Sequence, residues 1–229
     1  MWLLTLLCAG SLGLAGEPVT YMGRRLAPTM HYLGAEWLMR ETRESEEAAS
    51  ALIDALQLSP GDVACDVGAG SGYHTLRMAP LVGENGQVYA VDIQPEMLDM
   101  LQQNARAESL DNVLAVQNTQ IDTGLDPSTC DVILLVDVYH EFSHPVEMLQ
   151  SMRTALKPDG VIALVEFRAE DPQVPIKPLH KMSKAQIMRE LPANGLKLVR
   201  EVNSLPWQHV MFFQRDDGPD SPIAPVNAQ

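Results

Sequence analysis

Basic residues are scarce in this chain. Its 229 residues carry 16 Lys and Arg against 30 Asp and Glu, a formal net charge of −14. A diffuse acidic surface repels phosphate backbones, so no nucleic-acid partner is expected, and the only basic doublet is Arg24-Arg25. Cysteine is scarce too, at three residues. Beyond Cys8, Cys65 and Cys130 fall beside or within core strands. On regular parallel neighbours, at about 3.3 Å per residue, their offset exceeds disulfide reach. Two buried free thiols are the expectation. Charge is absent altogether from residues 1–16. The apolar stretch Trp2–Leu14 is too short for a membrane span, which needs about 20 residues. With small residues at Gly13 and Ala15 it has the form of an export signal, although no Lys or Arg precedes it. No stable membrane span is therefore expected. An exported, periplasmic location is, with a cytoplasmic one as the alternative. Lipidation at Cys8 is disfavoured because Leu7, not a small residue, precedes it. No His/Cys/Asp spacing approaches a metal site, and none is expected.

What is present starts with composition. Hydrophobic residues at 46% and charged residues at 20% describe a folded body, and the length suits one domain with extensions. The most informative stretch is Asp66-Val67-Gly68-Ala69-Gly70-Ser71-Gly72, followed by Val91-Asp92. It reads as a buried strand, a glycine turn, a helix and a second strand ending in a carboxylate. Glycines at 68, 70 and 72 let backbone N–H groups approach a ligand where side chains would collide. Asp92 is placed to accept hydrogen bonds from ribose hydroxyls. Tyr73 stands where a G-x-G-x-x-G loop needs its last glycine, which favours S-adenosylmethionine over a dinucleotide.

Along the chain, residues 17–58 form an irregular lead and a charged helix over about Glu36–Leu58, with Arg40–Glu47 as its solvated face. Residues 59–215 alternate strand and helix signals. The strands are Asp62–Cys65, Gln87–Val91, Val113–Val116, Asp131–Val136, Val161–Glu166, Leu196–Val202 and Val210–Gln214, the last two as an antiparallel hairpin. Helices are expected over Ser71–Leu81, from Pro95, over Pro145–Leu156, and from a capping box at Ser183 and Gln186. Residues 216–229 read as a disordered tail. This pattern predicts an α/β fold, a doubly wound, mostly parallel seven-stranded Rossmann-like sheet. Ligands then lie outside the strands' carboxyl ends, where Asp66–Gly72, Asp92, Thr119–Asp122, Asp137–Glu141 and Glu166 converge.

Four ordered pieces carry a family resemblance over residues 36–214: Ala64–Gly72, Val88–Asp92, Val132–Asp137 and Leu156-Lys157-Pro158-Asp159-Gly160. Together they resemble a class I S-adenosylmethionine-dependent methyltransferase of the type-11, ubiquinone-biosynthesis-like and arsenite-methyltransferase-like group. The run Met30–Leu38 is similar to a subset of bacterial methyltransferases, some with export signals. The turn Val82-Gly83…Gly86-Gln87-Val88 is also similar to protein-isoaspartate methyltransferases, but their threonine/serine-rich lead-in is absent. The resemblance implies S-adenosyl-L-methionine as cofactor and a small-molecule methyl acceptor. It implies that Gly68, Ala69, Gly70 and Gly72 pass beneath the methionine part and ribose. Asp66 would organise the loop and hold the methionyl ammonium, and Asp92 would take the ribose diol. Ile93 would pack on adenine, Thr119 and Gln120 would meet the adenine edge with Asp122 competing, and Asp137 would face the methionine portion and the substrate.

Methyl transfer is an in-line displacement, so the protein mainly holds the nucleophile in line and, where needed, removes its proton. His140 is the candidate base, or else a structural histidine capping the helix at Pro145. Glu166 either orients substrate or pairs with Arg168 at the surface. His31 and Tyr32 belong either to a lid or to simple packing, Trp37 reads as a core anchor, and His180 is unassigned. Asp137-Val138-Tyr139-His140 lacks the prolines of the Asn/Asp-Pro-Pro-Tyr motif that amino-methylating nucleic-acid enzymes carry there. Two other readings remain. One is a catalytically inactive module that binds S-adenosylmethionine or S-adenosylhomocysteine; the other is a nicotinamide oxidoreductase.

Overall fold

The computed structural model describes residues 19–218. The signal-like stretch 1–16 and residues 219–229 of the tail lie outside the described residues. A short hairpin, β1 (Thr20–Tyr21) and β2 (Arg24–Arg25), precedes the main body. Three short helices follow: α1 (Ala35–Leu38), α2 (Arg43–Glu47) and α3 (Ala49–Leu56). The single long helix expected over Glu36–Leu58 is thus broken. Ala48 adopts a left-handed conformation, φ 51°, between α2 and α3. The break turns Arg43 and Glu47 inward, 4% and 1% exposed, so Arg40–Glu47 is not a solvated face.

The sheet strands are β3 (Val63–Val67), β4 (Gln87–Asp92), β5 (Val113–Gln117), β6 (Cys130–Val136), β7 (Leu156–Phe167), β8 (Leu196–Val202) and β9 (Gln208–Arg215). Their order is β5-β4-β3-β6-β7-β9-β8, with β9 antiparallel to both neighbours and the other pairs parallel. The predicted doubly wound sheet and terminal hairpin are both present. Residues alternate between two buried faces. Cys65, Ile133, Leu135 and Phe213 pack with Met148, Leu149, Met152 and Ile187 on one side. Ala64, Leu134, Ala163 and Phe212 pack with Leu52, Leu56, Met78 and Val82 on the other. Burial on both faces is why the central strands are apolar at most positions rather than at alternate ones. The covering helices are α3, α4 (Thr75–Val82), α6 (Pro145–Ala155) and α7 (Lys184–Ala193), with α5 (Pro95–Ala107) beside β4 and β5. Residues 71–74 prolong the glycine turn, so α4 starts later than expected. Ser183 accepts from Gln186 N at 3.2 Å, but the Gln186 amide goes to Met22 and Glu190, so only half of the capping box forms.

Cys65 and Cys130 are disulfide-bonded, with Cα atoms 6.1 Å apart. The free-thiol expectation fails because it assumed a straight β6. The ladder with β7 slips between Cys130 and Val132. In a regular strand residues two apart share a face. Here Val132 packs on one side of the sheet and Cys130 on the other, with Cys65. The tail is also held further than expected: Asp216 N donates to Gly195 O at 2.8 Å, and Arg153 pairs with Asp217.

Candidate active site

The carboxyl ends of β3, β4 and β6 open into a cavity of about 680 Å³, the size of a small-molecule site. Its floor is the glycine turn. Gly68 has φ +79°, and a Cβ there would stand 2.4 Å from Val138 Cγ2; Gly70 has φ +55° and faces Leu38. At Gly68 only glycine fits both the conformation and the space; at Gly70 the left-handed backbone is what favours it. Gly68 N and Ala69 N donate to Val91 O at 2.8 and 3.0 Å, tying the turn to β4. At the end of β4, Asp92 Oδ2 accepts from Gly70 N and Oδ1 from Gln94 N, both at 2.9 Å. Each oxygen keeps a second acceptor position. Burial pushes the Asp92 carboxyl up, opposed by these backbone donors.

Gly68, Gly70, Asp92, Ile93, Thr119, Gln120, Asp137 and His140 all line this one cavity. Other candidates do not. Asp66 is buried beneath the turn, where Thr75 Oγ1 donates to its Oδ2 at 2.6 Å; it organises the loop without facing the cavity. Ala69 packs against Ala90 and Leu101, and Gly72 likewise abuts Leu101. Asp122 is occupied by Ser151 Oγ and Gly124 N. Asn118, overlooked in the sequence, lines the cavity instead, with a buried Oδ1 that has no partner among the described residues. Trp37 is 41% exposed, stacked on Arg40 and lining the cavity, so it is no core anchor. His31 and Tyr32 do not line it, whereas Ala27–Met30 just before them do.

Asp137 follows β6 directly, with φ +54°. Its Oδ2 accepts from Gln208 Nε2 at 2.6 Å, while Oδ1 is buried without a partner among the described residues. Burial holds this carboxyl well above the usual range, and the charges of Glu47 and Glu166 add to the effect. Arg43 lines the cavity nearby. It donates to Glu47 Oε2 at 2.8 Å and lies over Tyr73, whose other neighbour is Arg77. Tyr73 is thereby buried at the place where a dinucleotide loop would need glycine.

The other end of the cavity is ionisable. Glu166 is fully buried and does not pair with Arg168, which is spent on the carbonyls of Asn203, Leu205 and Pro206. Instead Glu166 accepts from His140 N at 3.1 Å and from His140 Nδ1–H at 2.7 Å. The carboxylate fixes the tautomer, so the lone pair of Nε2 lies away from Glu166. Burial alone would lower the imidazole's pKa; the charge and hydrogen bond of Glu166 outweigh it and raise the value. His140 Nε2 lies 3.1 Å from His180 Nδ1, and Glu141 sits beside both. Glu141 is pushed up to about 7 by burial, although His140 and Met30 N oppose this. Glu141 adjoins His140 in the chain and was within reach of sequence reasoning. His180 was not, because it lies forty residues away in a proline-rich loop.

Residues 58–211, well over half the chain, match the family model described as a methyltransferase domain. A protein-L-isoaspartate O-methyltransferase of Methanococcoides burtonii is 33% identical over 78 residues, 34% of this chain and 38% of that protein. A 2-phytyl-1,4-naphtoquinone methyltransferase of Trichormus variabilis is 29% identical over 151 residues, 65% of this chain and 64% of that one. The chain thus spans about a third to under two thirds of the length of these relatives. A crystal structure of a SAM dependent methyltransferase from Aquifex aeolicus superposes with TM-score 0.77 at 22% identity, covering 82% of this chain and all of that one, a likeness of fold. The cofactor this family implies is S-adenosylmethionine, and three features fit it: a turn that a Cβ would fill, a buried acid hydrogen-bonded to that turn, and an Asp137 oxygen buried without a partner among the described residues. With its sheet order, its glycine turn and the span of that match, the chain belongs to the methyltransferase-domain family.

Proposed function

We propose that this protein transfers a methyl group to a small-molecule acceptor held in the cavity. The observation that carries the reading is the pairing, within 2.9 Å, of Gly70 N and Asp92 Oδ2 at the cavity's floor. Gly68 and Gly70 would line the methionine and ribose side, Asp92 the ribose diol, and Ile93 with Asn118, Thr119 and Gln120 the adenine side. Asp137 Oδ1 would take the methionyl ammonium. S-adenosylmethionine, when bound, supplies an activated methyl on a sulfonium. The chain's own part is to hold the acceptor in line, which is most of the catalytic demand in such a displacement. His140, oriented by Glu166, lines the cavity where an acceptor is engaged. Where that acceptor carries a proton, Nε2 is the group that takes it. The net charge of −14 and the cavity's size support a small molecule over nucleic acid. The naphtoquinone named for one relative is consistent with such an acceptor.

The Cys65–Cys130 disulfide and the apolar N-terminus support work outside the reducing cytosol. Mass spectrometry of the mature N-terminus in fractionated cells tests this: a soluble cytosolic chain still beginning at Met1 contradicts export. For the reaction, purified protein is incubated with methyl-labelled cofactor and pools of small phenols, quinols, thiols and amines. Labelled product is expected, and it falls at least tenfold in His140→Ala. Thermal stabilisation by S-adenosylhomocysteine without product in any pool supports a binding-only module. Stabilisation by NADH instead overturns the reading.

A further inference from the structure

Beyond methyl transfer, His140, Glu141 and His180 draw three ligand atoms together from two separate segments of chain. His140 Nε2 lies 3.1 Å from His180 Nδ1 and 3.8 Å from Glu141 Oε1, and the latter two are 3.5 Å apart. A triangle with these sides has a circumscribed circle of radius about 2.0 Å, so a point just off its plane is ~2.1 Å from all three atoms, the length of Zn–N and Zn–O bonds. No side chain would have to move far to bind an ion.

The surroundings are those of a metal ligand set. His140 Nδ1–H is held by Glu166 Oε2 at 2.7 Å, leaving Nε2 as the donor. A carboxylate fixing the far nitrogen of a ligating histidine is the usual support of such sites. Glu166 itself is anchored a second time by His140 N at 3.1 Å. Glu141 is positioned by Met30 N, which donates to its Oε2 at 3.1 Å and leaves Oε1 toward the histidines. All three residues line the cavity.

We propose that His140 Nε2, His180 Nδ1 and Glu141 Oε1 form a binding site for a divalent first-row transition ion of the zinc class. Two imidazoles and one carboxylate select such ions over magnesium and calcium, which prefer all-oxygen sets. Three protein ligands leave coordination positions open, as in catalytic rather than structural sites. An oxygen, nitrogen or sulfur donor on a molecule in the cavity would complete the shell. That last clause rests on the proposed methyl transfer; the ion site does not. With an ion present, His140 acts as a ligand and not as a proton acceptor.

The test is calorimetric titration of metal-free, full-length protein with zinc chloride, paired with the visible spectrum of the cobalt(II)-loaded form. One ion per chain at micromolar dissociation constant or tighter is expected, with d–d bands of a low-symmetry site. Affinity should fall at least tenfold in His180→Ala, whose side chain is 29% exposed, and also in Glu141→Gln, with circular dichroism of both matching the wild type. Asp99→Ala, at an exposed position of α5 outside the cavity, should bind zinc as the wild type does. Equal zinc binding by wild type and His180→Ala, or none by either, overturns the site. S-adenosylhomocysteine binding is read on the same samples, so loss of cofactor affinity is distinguishable from loss of the ion.

Discussion

A glycine and a buried acid show how the turn after β3 is specified residue by residue. Gly68 sits at φ +79° with Val138 where a Cβ would go. Gly68→Ala therefore meets both a conformational cost of about 1–2 kcal/mol and a clash. It is expected to lower the melting temperature by several degrees and to weaken S-adenosylhomocysteine binding at least tenfold, as read by scanning fluorimetry. Asp66 lies beneath the same turn. Burial raises its pKa to about 6, while Thr75 and Arg43 pull down and Asp92 pushes up. The folded-state value exceeds the unfolded one, 3.8, so the folded form keeps a proton that the unfolded chain releases. This contribution to stability is complete below about pH 4, is lost as pH rises through 6, and is absent above. Asp66→Asn, which still accepts from Thr75, should remove that slope and raise stability at pH 7.5 in urea melts. A steeper loss between pH 4 and 6 than in wild type contradicts this. Asp66 and the glycines were legible in sequence because they occupy fixed places in a short turn. His180 was not, since a loop between β7 and α7 brings it to His140 and no local pattern records that.

Among the elements, the lead before α1 depends on a few buried polar contacts for its place over the cavity. Arg24 on β2 forms a two-bond pair with Glu190 on α7, at 2.8 and 2.9 Å, and Tyr139 Oη donates to the same carboxylate at 2.7 Å. Arg24 also donates to His140 O at 3.0 Å. Glu190→Ala leaves a buried guanidinium without its partner, which costs about 3–5 kcal/mol. The expected outcome is a shift of the urea midpoint of that size, with earlier hydrogen exchange in residues 20–30 than in β3. Exchange unchanged in that segment contradicts the account. The strands were legible to within one or two residues at most ends because doubly buried strands are mostly apolar and turn residues bound them; the start of β7, at Leu156 rather than Val161, was not. The helix over Glu36–Leu58 was misread for a related reason. Arg43 and Glu47 bury as a pair, with Arg43 over Tyr73, and hydropathy scores paired charges as solvent-facing.

The whole molecule is two helical layers on a sheet whose centre, β3 against β6, is cross-linked by Cys65–Cys130. A bridge spanning 65 residues limits the unfolded ensemble and is worth about 2–4 kcal/mol. The double variant Cys65→Ala/Cys130→Ala should lose stability of that order, and dithiothreitol should shift the wild type alone. An identical response of both to reductant contradicts the bridge. Fold class and the terminal hairpin followed from the alternation of apolar strands and amphipathic helices, which regular geometry sets. The disulfide did not, because the slip in the β6–β7 ladder at Cys130 leaves no trace in composition or spacing.

The central claim is that the Gly68–Gly72 turn and Asp92 together bind an adenosine-bearing sulfonium donor. Calorimetry with S-adenosylhomocysteine on wild type and Asp92→Ala tests it most directly. Single-site binding by the wild type, weakened at least tenfold in the variant with an unchanged fold by circular dichroism, is the predicted result. No binding by the wild type, or equal binding by both, contradicts it.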